Sequence, residues 1–333
     1  GCFVPVRVRV NGEDSMTMSV SLAREGACQH PYGFNLEELK RLDQGESGQA
    51  AAVKLTSTLN FPFSFLGVGQ SGKERTWLET AKVNFRKNSM MTFVPPGALL
   101  PEPGTCTYSE RILLGNFSGS IGMDAGKSIQ LQGPGRNIDM PQMLFGGEIE
   151  FVTLRNNFID ITDMWKSGLY QATIPSPQPQ SDISLLPPPV LREGTWTLKV
   201  PGGSAIGAFE QALTVPPVPL PVNLEEIKVV DRTAALPIRW NPAGYGADDR
   251  LEISIGSLSC IASAQPGEFL IPLVEMKRLP PSAQPTFLIS PNDSINIQLI
   301  GTPQLFSVPT VSGEDLRGYY HPNSGVSIPT TIR

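Results

Sequence analysis

Few side chains of this chain could perform acid–base or nucleophilic chemistry. The only two imidazoles are His30 and His321, and each directly precedes a proline. A histidine before proline is typical of a surface turn, and no GxSxG nucleophile elbow accompanies either one. A hydrolase with an unrecognised site around His30 or His321 is therefore the weakest of three functional hypotheses that the sequence allows.

Carboxylates occur mainly as near neighbours, such as Asp160 with Asp163 and Asp248 with Asp249. A glycosidase needs two carboxyl groups held apart across a cleft, and an EF-hand needs the DxDxDG spacing. Neither pattern is present. The sequence thus predicts no catalytic residue, no metal ligand and no cofactor, and the protein is predicted not to be an enzyme.

The glycine-rich segment at 67–74 (GVGQSGKE) is similar to a phosphate-binding loop. Glu74 stands where such a loop requires the serine or threonine hydroxyl that binds magnesium. An acid at that position would repel phosphate. We interpret the segment as a loop without a nucleotide.

Four cysteines, Cys2, Cys28, Cys106 and Cys260, are possible disulfide partners. None are spaced as CxxC, which disfavours zinc. An even count fits either two disulfides in an exported protein or four buried thiols, and we favour the disulfides. Four cysteines allow three connectivities. We favour Cys2–Cys28, because a hairpin that turns at Asn11-Gly12 would bring the flanks of these two residues together.

Aromatic side chains could form a platform for a sugar. Tyr319 and Tyr320, near the end of the chain, are possible ligand contacts that we expect to be exposed. Trp196 and Trp240 lie in alternating strand patterns, and we predict that both are buried.

Composition excludes several classes of partner. The net charge of −5 and a pI near 5.3 argue against nucleic-acid binding. The sequence contains no run of 18 apolar residues, so it predicts no membrane span. The 32 glycines and 32 prolines favour many short strands joined by turns.

The sequence pattern predicts that the candidate residues named above are positioned mainly by β-strands. Residues 3–10 and 16–22 alternate around Asn11-Gly12, which predicts a β-hairpin. Residues 35–44 (NLEELKRLDQ) form the best helix candidate. Further strands are predicted at 53–59, 83–85, 112–117, 128–131, 148–154, 169–174, 195–200, 209–215, 227–230, 236–240, 251–255, 259–263, 268–271, 286–289, 295–300 and 305–308.

The segment 193–245 runs from two strands through the proline-rich strut 216–222 into two more strands. Such an order is typical of a junction between two β-sandwiches. It predicts a boundary at 216–221, with Trp196 and Trp240 buried on opposite sides of it.

The predicted fold class is all-β: tandem Ig-like β-sandwiches with a small irregular α+β segment near the N-terminus. The predicted domains share no fixed-period repeat. They are the closing hairpin of a truncated upstream Ig-like module (1–25), the irregular α+β segment (26–110) and two β-sandwiches (111–218 and 222–333).

Several phrases of the chain, in order, resemble the C-terminal region of large secreted acidobacterial proteins that carry immunoglobulin-like (IPT/TIG-type) modules. These phrases are CFVPVRV at 2–8, GTCTY at 104–108, DAGKSIQLQGP at 124–134, GTWTLKVPGG at 194–203, IGAF at 206–209, DRT and IRW at 231–240, and PGEFLIP at 266–272 after Cys260. The resemblance implies export, an all-β fold and membership of a longer polypeptide with upstream domains. It implies no catalytic residues, because no activity is attached to that family.

Three functions follow as hypotheses. The leading one is a non-enzymatic interaction, adhesion or structural module of a larger secreted or surface protein, whose partner is an unknown protein or glycan. The alternative is a carbohydrate-binding accessory domain of a secreted hydrolase. The third is the histidine-based hydrolase above. In each case the expected location is extracellular or at the cell surface.

Overall fold

The computed structural model describes residues 48–60, 75–88, 102–108, 120–134, 136–143, 168–175, 177, 180, 185–282 and 294–333, together with the backbone of four short strands before residue 22. Several sequence-based predictions lie outside these residues. They concern His30, Cys2, Cys28, the helix at 35–44, the glycine-rich segment 67–74, and the strands at 112–117, 148–154 and 286–289.

The described residues form β-strands with very little helix, which confirms the all-β prediction. In chain order the strands are β1 (Phe3–Val6), β2 (Arg9–Val10), β3 (Glu13–Asp14), β4 (Met18–Ser21), β5 (Gly48–Asn60), β6 (Thr76–Asn88), β7 (Cys106–Tyr108), β8 (Ser120–Gly122), β9 (Ser128–Gly133), β10 (Arg136–Pro141), β11 (Leu169–Ile174), β12 (Gly194–Val200), β13 (Phe209–Val215), β14 (Val229–Val230), β15 (Leu236–Arg239), β16 (Arg250–Ile255), β17 (Leu258–Ser263), β18 (Glu268–Ile271), β19 (Ser294–Ile300), β20 (Gln304–Pro309), β21 (Asp315–Tyr320), β22 (Asn323–Pro329) and β23 (Thr331–Ile332).

The described residues include two short helical segments. One is the single turn of α-helix α1 (Leu273–Met276), and the other is the 3-10 turn Glu226–Lys228. Within the described ranges, no helix has the length and apolar character needed to cross a membrane.

The N-terminal strands pair as the hairpin pattern predicts. β1 pairs with β4 and β2 pairs with β3, both antiparallel. Val10 is opposite Glu13, so two residues, Asn11 and Gly12, separate the inner pair. This spacing is that of a two-residue hairpin connection.

A large sheet of 11 strands organises the rest of the described chain. Its main path is β11-β6-β5-β22-β19-β16-β17-β7, and β8 pairs with β6. β21 pairs with β5 on one side and with β20 on the other. We call this assembly the central sheet.

The hairpin of β5 and β6 is the longest element of the central sheet, with 13 residues in each strand. Apolar residues alternate along β5 with polar ones, so that one face of the strand is buried. Val53 and Leu55 belong to one hydrophobic core, whereas Leu59 and Trp77 belong to another. The hairpin therefore spans both cores.

The first core lies between the central sheet and a four-stranded sheet of order β10-β9-β12-β13. Trp196 is its largest fully buried side chain, and the indole N–H donates to the carbonyl of Arg192 at 2.9 Å. The indole packs on Gly133, where an added Cβ would lie 2.0 Å from the ring. A glycine is required there because the ring occupies that space.

The second core lies between the central sheet and two short strand pairs, β15–β18 and β14–β23. Trp240 is buried here and donates its N–H to the carbonyl of Ala264 at 2.7 Å. Pro221 of the proline strut forms a bridge with Trp240. Trp196 and Trp240 are thus both buried and lie in different cores.

The strand pairing crosses the predicted domain limits. The central sheet contains β5 and β6 from the segment predicted as irregular, β11 from the predicted first sandwich, and β16, β17 and β19 to β22 from the predicted second. The division at 216–221 stays a prediction about independent units. What the structure shows is two cores along one shared sheet.

Candidate functional site

The outer face of the central sheet carries a concave polar surface of about 520 Å³, which we call the polar groove. It runs over β5, β22, β19 and β16. Its lining side chains are mostly uncharged and able to form hydrogen bonds: Lys54, Thr56, Thr58, Glu252, Ser254, Ser294, Asn296, Gln298, Asn323 and Ser327.

The alternation of each strand places these residues on the same face. In β19, Ile295, Ile297 and Leu299 are fully buried in the second core. The intervening Ser294, Asn296 and Gln298 therefore face the other way. Strand register then aligns the polar positions, since Gln298 is opposite Glu252 and Asn296 is opposite Ser254 and Ser327.

Side-chain hydrogen bonds order part of the polar groove. Gln298 Nε2 donates to Asn323 Oδ1 at 3.0 Å, and Asn296 Nδ2 donates to Ser294 Oγ at 3.1 Å. The Ser259 hydroxyl donates to Glu252 Oε1 at 2.8 Å. Each amide or carboxylate keeps further hydrogen-bonding capacity. The groove can therefore bind a ligand through hydrogen bonds with little net charge.

His321 lies close to Lys54, which is one of the residues that line the polar groove. Tyr320 is paired with Val53, so His321 follows next to Lys54 along the parallel strands. Burial lowers the pKa of His321, and the positive charge of Lys54 lowers it further. Its Nε2 is buried and has no hydrogen-bond partner among the described residues. Among the described hydrogen bonds, none joins this imidazole to the hydroxyl or thiol of a nucleophilic side chain.

Tyr320 corrects one prediction. It was expected to be exposed with Tyr319, but its side chain is only 1% exposed and lies in the first core. Burial also raises its pKa. Tyr319, on the opposite face of β21, is half-buried, and burial raises its pKa to about 12. Alternation along β21 sends the two rings to opposite faces, so they cannot act as a pair.

A second concavity, of about 840 Å³, lies beside the proline strut; we call it the strut cleft. Pro216, Pro217 and Tyr245 form part of its wall. Asp249 Oδ2 accepts the N–H of Gly246 at 2.7 Å, and its Oδ1 accepts the N–H of Thr302 at 3.0 Å. These bonds give Asp249 a structural role in joining loops.

No aromatic platform is formed by the tryptophans in the described ranges. Trp77, Trp196 and Trp240 are all buried, and each N–H donates to a backbone carbonyl. The sugar-binding hypothesis therefore receives no support from these three indoles.

One disulfide joins Cys106 of β7 to Cys260 of β17, residues that are direct partners in the sheet. If all four cysteines pair, this bond leaves Cys2 with Cys28, which is the pairing favoured from sequence. Both residues lie outside the described ranges, so their pairing stays a prediction.

Metal binding has no visible basis in the part of the chain that the structure describes. It contains no cluster of three or more histidine, cysteine, aspartate or glutamate side chains able to hold an ion.

Comparison with known proteins yields no family model, no curated protein and no solved structure that matches this chain.

Sequence reasoning missed the polar groove. Its residues, such as Thr56, Asn296 and Gln298, have no catalytic signature, and each is an ordinary outward residue of its own strand. The available signal was the row of hydroxyl and amide side chains at alternate positions of three separate strands. Their convergence depends on the pairing of β5 with β22, which brings together residues that are far apart in sequence.

Proposed function

We propose that the chain is a non-catalytic interaction or adhesion module of a longer exported protein, and that the polar groove is its recognition surface. The groove itself carries this proposal: it is a concave, ordered array of hydrogen-bonding side chains on a rigid sheet. A rigid scaffold favours binding because little side-chain freedom is lost on association.

The disulfide supports an oxidising location, as expected for a secreted or surface protein. The resemblance to secreted acidobacterial proteins supports the same placement, with upstream Ig-like domains as part of one polypeptide. The partner is then an uncharged polar surface of a protein.

A carbohydrate-binding accessory domain is the second candidate. Sugars present many hydroxyl groups, and the neutral amides of Asn296 and Gln298 are suited to bind them. This candidate places the glycan in the polar groove and requires no tryptophan platform.

The test uses the purified chain on an array of surface polysaccharides and on a panel of immobilised extracellular proteins. The groove variant carries Asn296→Ala and Gln298→Ala. Loss of two hydrogen bonds of about 1 kcal/mol each should weaken binding roughly ten-fold or more. The matched control carries Gln130→Ala and Gln132→Ala on β9 of the other sheet, and it should bind like the parent.

Binding to proteins that the groove variant loses supports the leading function. Binding confined to polysaccharides and lost in the same variant selects the second candidate. Binding that the groove variant retains, or its equal loss in the control, contradicts the assignment of the groove.

A further inference from the structure

The pairing of β5 with β21 and β22 has a second property, which concerns force rather than recognition. Arg317–Tyr320 pair with Ala50–Val53, and Asn323–Val326 pair with Thr56–Leu59, all in the parallel direction. The partners are 267 residues apart in both pairings, so the register does not slip at His321-Pro322. The two strands therefore act as one continuous partner of β5.

From this geometry we propose that β5 and the continuous β21–β22 strand form a mechanical clamp that transmits tension through the protein. Force that enters through the chain before Gly48 pulls β5 toward its start. Force that leaves through the chain after Pro329 pulls β22 toward its end. Because the strands are parallel, these two directions are opposite, and the strands are loaded in shear.

Shear loading makes the clamp strong. The shared register covers ten residues of β5, which corresponds to a length of about 33 Å. A parallel ladder has evenly spaced hydrogen bonds, and in shear all of them bear the force together. If the same strands were peeled apart from one end, each bond would bear the full force in turn.

Packing on both sides reinforces the clamp. β5 is held on its other edge by the full length of β6, and β22 is held on its other edge by β19. Val53 and Leu55 are buried in the first core, and Val326 and Ile328 are buried in the second. To slide, β5 and β22 must leave both cores in one step.

The disulfide limits the extension after the clamp yields. Cys106 and Cys260 are 154 residues apart, and both lie in the sequence between β5 and β22. The residues between them stay out of the stretched chain while the bond is intact. Reduction should therefore lengthen the fully extended chain by about 500 Å, at roughly 3.4 Å per residue.

Force transmission has biological meaning only if the chain belongs to a longer polypeptide, as proposed above. The mechanical property itself does not depend on any ligand of the polar groove. Failure of the binding test and failure of the force test are therefore distinguishable.

Single-molecule force spectroscopy on the full chain tests the clamp. Handles are attached through azide-bearing residues introduced at positions 48 and 333 for shear. A second variant has them at positions 48 and 314, since Glu314 directly precedes β21 and lies at the same end of the clamp as Gly48. Both variants retain the same strands and the same hydrogen bonds, so only the direction of loading differs.

At one loading rate, the shear variant should unfold at a force at least about two-fold higher than the peeling variant, because forced unfolding is governed by the barrier that each direction meets. The length gained on reduction identifies correctly folded molecules in both cases. Equal unfolding forces in the two directions, among molecules with that length gain, would overturn the clamp.

Discussion

At the scale of single residues, buried polar groups connect the segment 185–193 to the central sheet. Glu79 is 3% exposed, and its two carboxylate oxygens accept the N–H groups of Val190 at 2.8 Å and Leu191 at 2.7 Å. The Ser57 hydroxyl donates to the same carboxylate. Nothing in the sequence around Glu79 distinguishes it from a solvated glutamate on a strand, because its two backbone donors come from a segment over 100 residues away.

We expect Glu79→Ala to lower the free energy of unfolding by about 2–4 kcal/mol, because it leaves two buried N–H groups without an acceptor. Glu79→Gln keeps one acceptor oxygen and should cost less. Urea denaturation at neutral pH measures both. The matched control is Glu210→Ala, which removes an exposed carboxylate 3.1 Å from Lys199 and should cost at most about 1 kcal/mol. Equal losses for Glu79→Ala and Glu210→Ala would refute this role.

His321 should make stability dependent on pH. Burial lowers the pKa of the folded imidazole below its ordinary value of 6.5, so the unfolded chain takes up this proton first as the pH falls. Stability is then lost as the pH drops through 6.5 and below. His321→Phe keeps a ring of similar size that cannot be protonated, and it should flatten the pH dependence of the unfolding free energy between pH 7.5 and 5.

The control for that measurement is His30→Gln. It retains His321, so the pH dependence of its unfolding free energy should equal that of the parent. An unchanged slope in His321→Phe would show that the buried imidazole does not control acid stability.

At the scale of elements, local turn signals predicted the bounds of several strands well. The bounds of β11, β13 and β18 agree with the predicted ones, because each strand begins one or two residues after a glycine and ends directly before a proline. The predicted strand at 227–230 is shortened to β14, since the 3-10 turn Glu226–Lys228 takes its first half. Short apolar runs are compatible with either conformation.

β21 and β22 were not predicted, because Gly318, Gly325 and the prolines interrupt their patterns. The structure gives Gly318 a physical reason. It is opposite Phe306 in the sheet, and an added Cβ would lie 2.2 Å from that ring. Glycine usually weakens a strand, but at this position the absence of a side chain leaves room for the ring of Phe306 to cover the neighbouring strand.

The link between β7 and β17 yields a prediction about the disulfide. The double variant Cys106→Ala/Cys260→Ala should lower the free energy of unfolding by about 2–4 kcal/mol, because the bond closes a long loop in the unfolded chain. Chemical denaturation without reductant measures the difference. The reduced parent should then resemble the double variant, apart from any effect of Cys2 and Cys28.

Peptide mapping of the unreduced parent is the companion measurement. It should show Cys106 linked to Cys260, and we predict Cys2 linked to Cys28. A Cys106 peptide linked to Cys2 or to Cys28 would contradict the strand pairing of β7 with β17.

At the scale of the whole molecule, the sequence predicted two sandwiches on either side of a proline strut, and the structure has two cores that share one sheet. The two descriptions agree on the burial of Trp196 and Trp240 in different cores. They differ in the role of residues 48–60 and 76–88, the strands β5 and β6, which are common to both cores. The parallel pairing of β5 with β21 and β22 over 267 residues has no local signal in a single sequence, so the position of β5 and β6 between the two cores could not be predicted.

The shared hairpin predicts that the two cores unfold together. Leu198 is fully buried in the first core and Ile297 in the second, and replacing either with alanine should cost about 2–5 kcal/mol. If β5 and β6 couple the cores, each variant shifts one common transition, and tryptophan fluorescence and far-UV circular dichroism follow the same curve. Two independent sandwiches would instead give two transitions, with Leu198→Ala moving only one and Ile297→Ala only the other.

Truncation of β5 separates the same two cases. With independent sandwiches, the second core would stay folded. In a coupled molecule, the loss of β5 exposes the edge of β22 and unfolds both cores.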